Sequence, residues 1–308
     1  MKLSQVNQGI LWFLSSRLSF AVAGIVIKLF PQNSALQFNF VRACFIVIFV
    51  VPIIYLFNRH ELDWRAPFRS KNPSLMIIRV VLGSIGLICF YYTFQTMTFA
   101  KAFTIAAATT FFTPLFAKIF LGEKIGIHRM AAISVGYVGV WYALDPIYSG
   151  IDIYEIIALV NVILTATVST ISKKILIKDS PFVLMFYTAM FSIFLALGTW
   201  STQGPITAMT GFDAWPSLTI YSFVLLLITM GPFAFMGKYG YLRAFKKTDL
   251  SLLMPYEYTN FVFAALFGYF IFNEIPEANT WVAMGLIILA TTLLTLYETR
   301  GKARGLRR

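Results

Sequence analysis

Apolar runs of about 20 residues, the length of a membrane-crossing helix, recur ten times along the chain. They cover Gly9–Phe30, Ala35–Phe57, Pro73–Gln95, Phe103–Leu121, Ile127–Leu144, Ile153–Ser172, Pro181–Trp200, Pro216–Met236, Leu250–Phe272 and Thr280–Tyr297. The breakers fall between them: Pro31-Gln32-Asn33-Ser34, Asn72-Pro73, Asp145-Pro146, Asp179-Ser180-Pro181 and Asn273-Glu274-Ile275-Pro276. Proline in a first helical turn wastes no backbone donor, and a polar residue before it caps free N–H groups. Barrel strands do not fit, because the runs are too long and lack alternation. The first run is no cleavable signal: Arg17 interrupts it and no small-residue cleavage site follows. The pattern predicts an all-α membrane protein with ten transmembrane helices.

Composition agrees. The 308 residues are 58% hydrophobic and only 12% charged, too few charges to cover a soluble globule, which carries roughly 25%. The two cysteines, Cys44 and Cys89, sit in apolar runs and give neither a disulfide framework nor metal spacing.

The net charge of +12 needs its distribution to be interpreted. With a cytoplasmic N-terminus and ten crossings, 20 of the 25 Lys and Arg fall on inner segments and two, Lys28 and Lys101, on outer ones. Arg17, Arg42 and Arg79 lie within spans. That bias is the positive-inside rule. It places both termini in the cytoplasm and accounts for the basic balance without nucleic acid. The inner count includes Lys238 and Arg243, read as following the eighth span, and Arg79 is read as near enough to the inner surface to snorkel.

The chain also repeats. At an offset of 146, Lys28 meets Lys174, Ser34 meets Ser180 and Phe40 meets Phe186, and further on Gly122-Glu123 falls against Asn273-Glu274. Five spans per half is odd, so the second half enters the membrane inverted. Inverted repeats are a plan of secondary transporters, with the substrate site near the midplane between the halves. The expected units are 1–147, 148–300 and a basic cytoplasmic tail, 301–308.

Three stretches carry a family resemblance: Thr113-Pro114-Leu115-Phe116-Ala117-Lys118-Ile119-Phe120-Leu121-Gly122-Glu123; Ile171-Ser172-Lys173-Lys174 running into Ser180-Pro181; and Pro255-Tyr256-Glu257-Tyr258 followed by Phe270-Ile271-Phe272-Asn273-Glu274. With ten spans in two repeats, the chain resembles the EamA branch of the drug/metabolite transporter superfamily. The second and third stretches are similar to rickettsial S-adenosylmethionine uptake carriers within it, which often carry Arg at the position of Glu257. The resemblance implies alternating access, a cavity lined by spans 1–4 and 6–9, and peripheral spans 5 and 10.

Ionisable groups at mid-membrane cost about 2.5–3.5 kcal/mol each on insertion scales and mark functional sites. Arg17, Arg42 and Glu257 are such groups. The arginines suit an anionic group; Glu257 suits an amine or a proton, and an Arg–Glu pair locking the halves together is the structural alternative. Asn39, Tyr92, Gln95, Asn161, Tyr187 and Asn260 add polar and aromatic surface at similar depth. Pro114 and Pro255 free backbone carbonyls within the fourth and ninth spans and are hinge candidates. Glu123 and Glu274 read as caps or contacts between repeats. No catalytic cluster, metal motif or phosphate loop occurs, so neither an enzyme, a cofactor nor an ATP-driven pump is expected. The expectation is a carrier of a small organic metabolite in the bacterial inner membrane. Amino acids and amino-acid-like compounds such as S-adenosylmethionine lead, and a polyspecific drug exporter is the alternative.

Overall fold

The computed structural model describes residues 5–30, 32–57, 68–96, 105–106, 108–144, 153–201, 219–272, 281–282, 285–286, 288–290 and 292–293. Among them the regular structure is helical throughout, with no strand. The helices are α1 (Gln5–Leu29), α2 (Ala35–Phe57), α3 (Pro73–Thr96), α4 (Thr109–Leu121), α5 (Ile127–Leu144), α6 (Ile153–Leu176), α7 (Pro181–Ser201) and α8 (Ile220–Lys247). The ninth span is built of α9 (Leu250–Leu253), a 3-10 segment (Met254–Tyr258) and α10 (Thr259–Phe272). Six helices are long and apolar enough to cross a bilayer. Large apolar side chains such as Ile77, Phe194 and Ile228 point outward, where a bilayer rather than water would receive them. The tail 301–308, Glu274 and most of the tenth span lie outside the described residues.

Helix pairing follows the repeat. The first span of each half packs on the third span of the other, α1 on α8 and α6 on α3, while α2 faces α7. The fourth span of each half also packs on the opposite first span: α4 on α6, and the ninth span on α1. A two-fold relation between five-span halves produces this exchange, and the fold is the inverted two-repeat membrane architecture.

The eighth, sixth and ninth spans depart most from the sequence reading. The eighth helix does not stop at Met236 but continues to Lys247, so Lys238 and Arg243 are helical and not loop residues. The sixth runs to Leu176 and takes in Lys173 and Lys174. Hydropathy falls at the first charge, whereas the backbone hydrogen bonds continue until a breaker such as Asp249 arrives. The ninth span is not one uniform helix: Pro255 sits in a 3-10 segment between two α-helical pieces, as expected where a proline removes a donor. Pro114, by contrast, lies inside continuous α4.

Two apolar cores are seen among the described residues. At the end bearing Gln8, Glu123, Lys173 and Lys247, here the basic end, one apolar core joins nearly every described helix, through Phe13, Met76, Ile133, Ile175, Leu184 and Leu242 among others. Towards the opposite end lies a second described cluster, whose buried members are Ala23, Val26, Phe38, Val41, Leu226 and Met230 of α1, α2 and α8.

Glycine permits close approach between α1 and α8. A Cβ at Gly240 would stand 2.8 Å from the Trp12 carbonyl oxygen, and one at Gly237 would stand 3.0 Å from the Phe20 ring. The Trp12 carbonyl is backbone and cannot swing aside. Gly240→Ala therefore levers α1 from α8 and is expected to cost about 1–3 kcal/mol, read as a lower melting temperature of the purified protein. An unchanged melting curve would contradict the contact.

Candidate functional site

Arg17 occupies the thirteenth of the 25 positions of α1, half-way through the span and 6% exposed. Three rings surround its guanidinium: Phe13 at 4.8 Å, Phe20 at 5.0 Å and Tyr241 of α8 at 4.9 Å. Aromatic faces attract a weakly hydrated guanidinium. One end of the group donates to Ser16 Oγ at 3.1 Å, and the other forms an ion pair with Glu257. Glu257 is positioned by the 3-10 segment after Pro255, and it is the more exposed partner. Arg17 Nε is buried without a partner. The pair thus joins α1 of one half to the ninth span of the other.

Arg42 of α2 is buried and donates to Asn39 Oδ1 at 2.8 Å, one helical turn away. Arg79 corrects the expectation of a snorkelling side chain. It is 1% exposed and reaches from α3 to Ser172 of α6, Nε to Oγ at 3.0 Å, and to Thr188 of α7. Both hydroxyls donate their own protons to carbonyls one turn back, Val168 and Leu184. Their lone pairs therefore face the guanidinium.

Tyr241 links these groups. Its ring lies under Arg17 and 5.7 Å from Lys238 Nζ. Ser169 Oγ gives its proton to Thr165 O at 2.7 Å, so the 2.9 Å contact between Tyr241 and Ser169 has the tyrosine as donor. Lys238, Arg79, Tyr241 and Ser169 were missed by the sequence reading. A helical reading of Gly237–Tyr241, with its paired glycines and tyrosines, would have found two of them.

The other sequence candidates are dispersed. Tyr92 is half-buried near the far end of α3, 6.0 Å ring to ring from Tyr154. Asn161 is buried where α6 meets α3, its Oδ1 accepting from Thr165 at 3.2 Å. Tyr187 is exposed on α7 beside Phe186. Asn260 follows Glu257 by one turn and has a buried, unpartnered Oδ1. Gln95 lies in α3, and its side chain is outside the described set.

A second polar cluster closes the basic end. Gly122 adopts the left-handed conformation (φ 69°) and ends α4, with the Ala117 carbonyl accepting from the N–H groups of Gly122 and Glu123. The turn aims Glu123 at the start of the ninth span, where its carboxylate accepts from the N–H groups of Leu250 and Ser251, both at 3.1 Å. A carboxylate at a helix N-terminus is favoured by the helix dipole. Lys173 Nζ lies 2.7 Å from Glu123 and 3.4 Å from Asp249, and donates to Thr248 O at 2.8 Å. Arg129 donates to Ser251 Oγ at 2.8 Å. Glu123 is thus both a cap and a contact between repeats.

Known proteins place the chain. Residues 7–144 and 152–296 each match the EamA-like transporter family. The chain is 27% identical to the S-adenosylmethionine uptake transporter of Rickettsia bellii over 293 residues, covering 95% of this chain and 94% of that protein. It is 25% identical to the riboflavin transporter of Vibrio cholerae over 314 residues, covering 96% of each. It is 24% identical to a pseudopaline exporter of Pseudomonas aeruginosa, covering 96% of this chain and 98% of that one. A solved crystal structure superposes with a TM-score of 0.73 at 16% identity, over 94% of this chain and 98% of its own, and so shares the fold.

Proposed function

Since the chain belongs to the EamA-like transporter family and is a multi-pass secondary transporter of small metabolites, we propose that it carries an amino-acid-like molecule across the bacterial inner membrane by alternating access. Its termini are cytoplasmic in this reading, and residues 1–147 and 148–300 are the two repeats that move against each other.

The observation that carries the reading is the Arg17–Glu257 pair, set between the halves in the middle of the membrane. A buried ion pair contributes little to stability once both desolvation costs are counted. It does present a carboxylate and a guanidinium side by side. The ammonium of an α-amino acid can replace Arg17 at Glu257, and its carboxylate can replace Glu257 at Arg17. One buried pair becomes two, and no charge is left bare. Arg42 with Asn39 and the neighbouring Asn260 supply further polar contacts; Tyr92, Gln95, Asn161 and Tyr187 lie along the route.

Alternating access needs an end that closes. The broad apolar core and the Glu123–Lys173–Asp249 cluster hold the basic end shut, which supports a state closed at that end. Pro255, in the 3-10 segment beside Glu257, is the hinge that best connects site and gate; Pro114, within continuous α4, is the hinge candidate of the first half.

Proteoliposomes test the proposal. Preloaded with a mixture of amino acids and related metabolites, they should exchange at least one labelled compound, in either direction, along its gradient. A folded preparation that exchanges none of a broad panel would refute it.

A further inference from the structure

Among the described residues, three cations beyond Arg17 stand in the membrane interior without a carboxylate partner. Among the described ion pairs none includes Arg42, Arg79 or Lys238. The partners of Arg42 and Arg79 are neutral: Asn39 for one, Ser172 and Thr188 for the other. Those hydroxyls and the amide oxygen orient the guanidinium groups and neutralise nothing. Lys238 lies over Tyr241, the ring that also carries Arg17. Tyr241 bonds to Ser169, one helical turn from the Ser172 that holds Arg79. Arg17, Arg42 and Arg79 all lie close enough to Lys238 to repel it.

The unmet hydrogen bonds point the same way. Arg42 Nε and Asn39 Nδ2 are buried donors with no acceptor. A cationic or donor-rich ligand would add to both the charge and the donor surplus. An oxyanion removes both, since it brings negative charge and acceptor lone pairs that fit a guanidinium fork.

We infer that Arg42, Arg79 and Lys238 form an anion subsite that takes a carboxylate or phosphate group, beside the amino-acid-like moiety assigned to Arg17 and Glu257. The inference rests on that reading for the subsite's place on a transport route, but the binding itself can be measured alone. The oxyanion comes either from an acidic group of the carried molecule or from a free inorganic anion.

The test is a melting titration of the full-length purified protein at ionic strength held constant with sodium chloride. The probes are sodium phosphate, sodium glutamate and lysine hydrochloride. Phosphate or glutamate should raise the melting temperature saturably, and lysine, which offers the α-amino-acid group but no second acidic group, should do so more weakly. Lys238→Met should weaken the apparent affinity at least tenfold, about 1.4 kcal/mol, and Arg79→Gln at least as much. Lys118→Gln, exposed on α4, should keep the wild-type curve. A full shift with phosphate alone assigns a free anion; a tighter response to glutamate assigns an organic acid, and either supports the subsite. Lysine stabilising as well as glutamate, or a folded Lys238→Met with wild-type affinity, overturns it. Lys238→Met decides alone if Arg79→Gln does not fold. A failure of liposome exchange would end the transport reading while leaving this binding curve standing.

Discussion

Glu257→Gln is expected to reduce substrate exchange in proteoliposomes about a hundredfold while the purified protein still folds. The side chain keeps its shape and its hydrogen-bonding capacity but loses its charge. An ammonium docking at this position then leaves water without a counter-charge, and truncating a buried hydrogen-bonded charge pair costs roughly 2–5 kcal/mol. Arg17 loses its partner too. It keeps the Phe13, Phe20 and Tyr241 rings and Ser16, which is why folding should survive. Arg17→Lys should not substitute for the native residue, because a compact ammonium cannot reproduce a planar group stacked among three rings. Initial rates of labelled exchange, compared at matched protein density, check the prediction. A Glu257→Gln variant with wild-type rates would remove this carboxylate from the route.

Glu123→Ala should open the basic end. The carboxylate caps two N–H groups at the start of the ninth span and pairs with Lys173. Loss of a cap costs about 0.5–2 kcal/mol, and the broken pair adds to it. Lys173 keeps Thr248 O and Asp249, so no bare charge is left and the pair's share is about 1 kcal/mol. Together they bias the closed state by roughly ten- to a hundredfold. Thr113 is fully buried on α4, and Thr113→Cys in a background lacking Cys44 and Cys89 makes it a reporter. Labelling by a membrane-impermeant maleimide from the basic side should accelerate by at least tenfold when Glu123→Ala is added. Equal labelling rates would show that this cluster does not hold the gate.

Much of the architecture was legible because a bilayer leaves a sequence few options. Runs of spanning length, breakers between them and a lopsided distribution of Lys and Arg were enough for ten helices in two inverted halves. Arg17 and Glu257 stood out for the same reason, since a charge inside an apolar run needs a partner, and here each partners the other. Hydropathy failed where a helix outlasted its apolar stretch. Lys238 was assigned to a loop because charge begins there, although α8 continues to Lys247. Arg79 looked free to snorkel because its position near a span's end says nothing of Ser172 and Thr188, which approach from 93 and 109 residues away. Tyr92, Asn161 and Tyr187 stand apart from one another on α3, α6 and α7. Depth is a coordinate along the chain, whereas helix rotation decides which side chains meet, and no single sequence supplies that rotation.

The most direct measurement is a structure of the protein with an exchanged substrate bound. The ligand's ammonium should lie against Glu257 and an acidic group against Arg17, with the Arg17–Glu257 contact broken and α1, α8 and the ninth span surrounding the molecule. A ligand bound elsewhere while Arg17 and Glu257 stay joined to each other would contradict the site.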